Sequence, residues 1–456
     1  MTQAIKRFKV DAKELSQQEK VLLDKLILAA ELLAPLYLKQ KNSKYPGANF
    51  YPSDVTKKEV EKAAEKDPAI LSPYTFVERN KSGKLIAVPY HKKFEKELKK
   101  ISEVLKEAAL LSKDKELKDY LRQRAEDMLT DNYDKSNILW LKTENSKIGC
   151  VIGPFDRYLD KLFFKKRAYM AWMGILDEKE TREARKFVSM SLASEKRYLP
   201  GSKRAKISKI RARIEDIAIF SGLAADFIFV GNNLPSSADI NLIKKHGTLL
   251  TVFNSSIKWR FERWIFPIFK EIFDENFQKK YSKKELHQAL LKSIVSHETC
   301  HSLMRYEDAT TRLQEYFPFF DELYTDILAV KCCGTLLLKD GLTQKELEAF
   351  LLVYICRNLH WLTQIKDQPH TIHYATGGAI FLNFLMQTKT LKKKNQRFFV
   401  QDFGKLFICI DQLSHILDYY IALGNYNEAK EFLAKYGSFK LFQKDFLPKL
   451  TKIRKK

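Results

Sequence analysis

The sequence is poor in the residues that punctuate or staple a chain. Only 16 glycines and 13 prolines interrupt 456 residues, which excludes collagen-like, linker-rich and low-complexity architectures. Six cysteines (Cys150, Cys300, Cys332, Cys333, Cys356 and Cys409) are scattered and form no CxxC pair. They are too few for a disulfide framework, so a reduced, cytoplasmic setting is expected. Apolar runs stop short of the roughly 20 residues that span a bilayer, and MTQAIKRFKVDAKEL has no apolar core of the secretory kind. No membrane partner is expected. Acidic residues are also in deficit, with 56 Asp and Glu against 80 Lys and Arg, a net charge of +24. No zinc-finger or RRM motif accompanies that excess, and the lysines are spread along nearly the whole chain. The charge therefore reads as solvated helix faces, and no specific nucleic-acid partner is expected.

What the chain does have is a hydrophobic content of 45% and a length sufficient for two or three domains with a large core. Residues 9–40 read as a helix. Ser16 and Glu19 have capping-box spacing, and Leu22, Leu23, Leu26, Ile27, Ala30 and Leu33 share one face. Residues 74–91 alternate about NKSG as a hairpin. Residues 92–130 are helical, 147–155 a strand, 159–200 and 203–222 helical, and 248–256 a strand. From about 258 onward the pattern is almost wholly helical. The expected architecture is mainly α with a smaller α/β part. Residues 1–257 form the mixed part with substrate-binding segments and 258–456 the mainly helical part, the lobes being free to interleave.

One stretch carries recognisable chemistry. SIVSHETCHSLM (293–304) lies in a segment without glycine or proline, expected to be helical from Ser282 to Met304. His297 and His301, four apart, present their imidazoles on one helical face, as a shared zinc ion requires. Glu298 lies off that face and is placed to act as general base on a water held at the ion's open position. Cys300 is a small filler. A third ligand is expected from a second helix, 319–338, where Asp321, Glu322 and Asp326 cluster. Glu322 and Asp326 face the same way, so one carboxylate can bind the ion while the other accepts the second N–H of a ligand histidine.

With these residues in place, the chain resembles the M49 metallopeptidases, the dipeptidyl-peptidase III family, and within it the shorter bacterial branch with HExxH. LILAAELLAPLYLKQ, GANFYPSDVTKKE, SPYTFVERNKSGKLIAVPY, LTDNYDKSNILWL and VIGPFDRYLDKLFFKKRAYMAW follow in the order of that branch, from about residue 9 to 390. The resemblance implies a two-lobed fold, with a helical zinc lobe facing a mixed lobe across a cleft. It implies one zinc ion on His297, His301 and Glu322, Glu298 as base, and Asp326 behind a ligand histidine. IGPFDRY (152–158) matches the segment that assigns Asp156 to the peptide amino group and Tyr158 to the oxyanion. NNLPSS (232–237) gives Asn233 as a substrate-binding amide. In IHYATGGAIFLNFL (372–385) His373 is the candidate beside the oxyanion, with His370 the alternative.

Four departures bear on substrate length more than on the metal. Asp156 stands where Glu is usual, Ser236 where a second asparagine is, and Ser302 where glycine follows the second histidine. The segment after His373 lacks the family's arginine or asparagine. No Nudix-box pattern is present, so nucleotide hydrolysis is not indicated. The implied activity is release of dipeptides from the N-terminus of short peptides by a monomer or dimer. The competing readings are a catalytically impaired relative that binds peptides or another partner, and a basic protein associating with nucleic acid.

Overall fold

The computed structural model describes residues 4–194, 205, 207–236, 239–303, 306–337, 341–364, 371–394, 397–440 and 446–455. The chain divides into two compact units and passes between them several times. The first comprises Met1–Glu178, Arg213–Phe229 and Leu234–Leu249, and the second Lys179–Ala212, Val230–Asn233 and Leu250–Lys456. Among the described residues no helix is long and apolar enough to cross a membrane.

In the first unit the long helix Gln17–Gln40 starts at a complete capping box. The Ser16 hydroxyl accepts from the Glu19 N–H, and the Glu19 carboxylate accepts from the Ser16 N–H at 2.7 Å. These bonds satisfy two of the donors that a helix start leaves open. Residues 9–16, read as its first turns, lie outside the helix, and β1 (Ile5–Arg7) precedes them. The helix buries Leu22, Leu23, Leu26, Ala30 and Leu33 and packs on the helix Glu95–Leu111, which in turn packs on Lys115–Asp127. The hairpin forms from β2 (Thr75–Arg79) and β3 (Leu85–Pro89), with Arg79 opposite Leu85. Gly83 supplies a φ of +77° at its turn, a conformation that a side chain would strain.

Two stretches read as helical are strands. β4 (Ile148–Asp156) lies where a strand is expected, but β5 (Ala168–Leu176) and β6 (Ile210–Gly222) replace helix. Their sequences mislead for different physical reasons. AYMAWMGIL is buried from Ala168 to Gly174, so it shows a continuous apolar run without the alternation of a half-exposed strand. IRARIEDIAIFSG carries charges that suggest a solvent face, yet Arg213 and Glu215 are each 1% exposed and paired at 2.7 Å. Space for them comes from glycines on β4 and β5. A Cβ at Gly149 would lie 2.0 Å from Glu215 Oε1, and one at Gly174 would lie 2.8 Å from Oε2. Arg213 also donates to the carbonyl oxygens of Thr143 and Ser146, so its guanidinium is held at both ends. The helix Glu178–Ser194 does form within the region expected to be helical.

The strands make a six-stranded sheet of order β4-β5-β6-β8-β7, with β1 beside β6. β7 is Gly231–Leu234 and β8 is Thr248–Phe253. Neighbours among β4, β5, β6 and β1 run antiparallel. Among the described residues β7 has a sheet neighbour on one side only.

The second unit is mainly helical. Lys283–Leu303, Phe317–Leu337, Gln344–Leu362 and Ile372–Gln387 pack on one another, and Phe403–Ala422 packs on the second of them. Every residue from Leu347 to Leu362 is buried. A helix covered on all sides shows little amphipathic rhythm, and Lys283–Leu303 is likewise covered from Ser293 to its end. Three of its hydroxyls there are satisfied by carbonyls. Ser293 donates to Leu290, Thr299 to Val295 and Ser296 to Ala329 of the next helix. That leaves His297, Glu298, His301 and Ser302 as the buried polar side chains whose partners must come from elsewhere.

Candidate metal centre

Partners for the two histidines come from the helix Phe317–Leu337. His297 Nε2 and His301 Nε2 face each other at 3.1 Å. Glu322 Oε2 lies 3.3 Å from the first and 3.7 Å from the second. Four ligands around an ion with bonds of about 2.1 Å stand about 3.4 Å apart, so the three atoms already have the separations of three tetrahedral corners. His297 and Glu322 are buried, and His301 is 9% exposed.

The chemistry of the donor set also fits a cation. His297 Nδ1 lies 2.6 Å from Asp326 Oδ1, an oxygen that also accepts from Arg357 Nη2 at 2.6 Å. Burial alone would raise the Asp326 carboxyl, but Arg357 and His297 outweigh it and hold it below its ordinary range. An ionised Asp326 keeps the proton on Nδ1 and leaves the Nε2 lone pair directed at His301 and Glu322. His301 Nδ1 has Thr325 Oγ1 at 3.3 Å and Asp321 Oδ2 at 3.6 Å. Two imidazole lone pairs and a carboxylate oxygen therefore converge on one point. Without a cation there, burial works against protonation of His301, but the Asp321 and Glu322 carboxylates prevail and raise it well above its usual value.

Glu298, 5% exposed, lies against β7. A Cβ on Gly231 would come within 2.5 Å of its Oε1, so only glycine leaves room for the carboxylate there. Burial pushes the Glu298 carboxyl up, with His297 and His301 pulling the other way. Two residues along, on the same face of the strand, Asn233 Nδ2 donates to the Glu298 backbone carbonyl at 2.6 Å and to Ser302 Oγ at 2.8 Å. Asn233 is thus tied to the histidine-bearing helix through its nitrogen, while its Oδ1 has no hydrogen-bond partner among the described residues. Ser302, a departure from the branch pattern, accepts one of those bonds.

The remaining expected residues fall as follows. Asp156 and Tyr158 belong to the first unit, at and just beyond the end of β4. Asp156 Oδ1 accepts from the Tyr158 N–H at 3.2 Å, and the Tyr158 ring packs beside Phe227, with centroids 5.7 Å apart. Ser236 Oγ lies 3.4 Å from Asp239 Oδ2. His373, 4% exposed, meets Phe319 edge-on, and His370 lies outside the described residues. Sequence reasoning missed Arg357, Gly231 and Tyr374, whose hydroxyl donates to Glu322 Oε1 at 3.2 Å. None has a spacing that marks it. The available signal was an arginine or a tyrosine inside an otherwise apolar helix.

No protein-family model matches the chain. Among curated proteins it is similar to "Nudix hydrolase 3" of Arabidopsis thaliana, 25% identical over 434 residues that cover 86% of this chain. The match spans 54% of that relative's length, so nearly half of it has no counterpart here and the name stays with that protein. Two solved structures are similar over almost the entire chain. Dipeptidyl-peptidase III from Corallococcus sp. strain EGB superposes with a TM-score of 0.85 at 23% identity, covering 99% of this chain and 92% of that one. DPP III from Caldithrix abyssi gives 0.81 at 20% identity, covering 98% and 94%. The fold of this chain is that of the dipeptidyl-peptidase III structures.

Proposed function

We propose that the chain is a zinc-dependent metallopeptidase of the M49 type that releases dipeptides from the N-terminus of short peptides. The observation that carries this reading is the convergence of His297 Nε2, His301 Nε2 and Glu322 Oε2, 3.1–3.7 Å apart, beside the buried Glu298 on this fold. When bound, zinc supplies a Lewis acid that polarises the scissile carbonyl and acidifies water. Glu298 is the base: it takes a proton from the attacking water and delivers it to the leaving amine. Its raised proton affinity, caused by burial, suits a group that must both accept and return that proton. Asp326 and Arg357 keep His297 in the tautomer that ligates.

The substrate side is consistent with a peptide. β7 carries Gly231 against Glu298 and has an unpaired edge among the described residues, which offers main-chain hydrogen bonds to an extended segment. The resemblance assigns Asp156 to the peptide's amino group, Asn233 to a contact with the peptide N-terminus, and Tyr158 and His373 to the oxyanion.

Purified protein with zinc, offered dipeptidyl-arylamides and short peptides, should release dipeptides identifiable by mass spectrometry. Glu298→Gln should lose about 10²–10⁴-fold in turnover while retaining zinc. Equal inactivity of wild type and Glu298→Gln would leave a peptide-binding protein in place of the enzyme.

A further inference from the structure

The late segment IHYATGGAIFLNFL draws attention to His373, but the neighbouring side chain is the one that reaches the ligand set. Tyr374 Oη donates to Glu322 Oε1 at 3.2 Å, while Oε2 of the same carboxylate faces the two imidazole nitrogens at 3.3 and 3.7 Å. The two oxygens of Glu322 are thereby divided between two tasks. The phenol is itself held in place. Its ring stacks on Trp361 of the helix Gln344–Leu362, with centroids 4.6 Å apart and planes 14° apart. The Arg260 guanidinium lies 5.0 Å from the Trp361 ring. Trp361 and Arg260 are 7% and 6% exposed, so buried neighbours fix the position of the hydroxyl.

We propose that Tyr374 is a positioning residue for the metal centre, aiming Glu322 by occupying its Oε1. This rests on the metal-binding reading above and extends it to a residue outside the expected ligand set. The terminal torsion of a glutamate is broad and has no strong preference of its own, so a ligand oxygen is aimed only if something holds its partner. Asp326, backed by Arg357, does this for His297. Tyr374, backed by Trp361 and Arg260, does it for Glu322. Two of the three ligands thus have a hydrogen-bonded support backed by the helix Gln344–Leu362, through Arg357 and Trp361, while His301 has Thr325 and Asp321 beside it.

Tyr374→Phe separates this role from packing, because the ring and its stack on Trp361 stay while the donor goes. Zinc dissociation constants are measured for wild type and variant by competition with a chromophoric chelator, alongside thermal melting of both metal-free proteins. The variant should bind zinc about 10–100-fold more weakly, the usual consequence of removing such a support, with the metal-free melting temperature unchanged. Zinc affinity within twofold of wild type would overturn the role of Tyr374 and leave the metal site standing. A wild type that binds no zinc would overturn both.

Discussion

At the scale of single residues, the tightest constraint beside the ligands is a missing side chain. Gly231 must lack a Cβ because Glu298 Oε1 would lie 2.5 Å from it, and the strand cannot easily retreat, since Val230 accepts a backbone hydrogen bond from Phe253 at 2.9 Å. Gly231→Ala should therefore move the carboxylate and not the backbone. The expected result is a loss of about 10²-fold in kcat, with zinc content unchanged and stability lowered by about 1–3 kcal/mol from overpacking. Metal analysis and steady-state kinetics on one preparation check it. An unchanged kcat would mean that Glu298 is not the base. The same residues show what was legible in the chain. His297, His301, Glu298, Glu322 and Asp326 could be placed because a helix converts spacing into direction. Gly231, Arg357 and Tyr374 act across space, from a strand and two other helices, and no periodicity links them to the residues they hold.

At the scale of elements, burial alone did not decide what was readable: the covered strands β4 and β8 and the covered helix Lys283–Leu303 lie where they are expected, whereas β5 and β6 do not. Gln17–Gln40 announces itself through Ser16, Glu19 and its apolar face. β5 conceals itself as an unbroken apolar run, and β6 as a charged one. The β6 case has a mechanical test. Glu215 occupies the space left by Gly149 and Gly174, and its buried carboxylate is paired with Arg213. Gly149→Ala puts a methyl 2.0 Å from Glu215 Oε1, with Arg213 fixed by the Thr143 and Ser146 carbonyls and unable to follow. Breaking a buried pair in this way costs about 3–5 kcal/mol. The expected result is a large drop in the denaturant midpoint, whereas alanine at Gly83 acts only through its positive φ, because its Cβ would meet nothing within 4 Å. Equal midpoints for Gly149→Ala and wild type would mean that Glu215 does not occupy that space.

At the scale of the whole molecule, two compact units built from interleaved segments give metal removal a local signature. The three proposed ligands lie within the second unit, so zinc should stabilise the helices Lys283–Leu303 and Phe317–Leu337 directly. Zinc at about 1,000 times its dissociation constant adds about 4.1 kcal/mol by mass action. Chelation should then speed hydrogen exchange in those two helices and leave the β2–β3 hairpin of the first unit unchanged. The effect should also depend on pH, with a definite sign. In the metal-free protein burial disfavours protonated His301, but Asp321 and Glu322 override it and raise its proton affinity well above the ordinary value near 6.5. A histidine raised on folding stabilises the folded state below its unfolded pKa, and this contribution is lost as pH rises through the folded value. Zinc needs the unprotonated imidazole, so its apparent affinity climbs over the same window. Above about pH 6.5 the metal-free protein weakens while the zinc-bound one, with no proton on His301, holds level, so the gap between their melting temperatures should widen with rising pH. A gap that narrows with rising pH would show that protons and metal do not compete for His301, and would remove it from the ligand set.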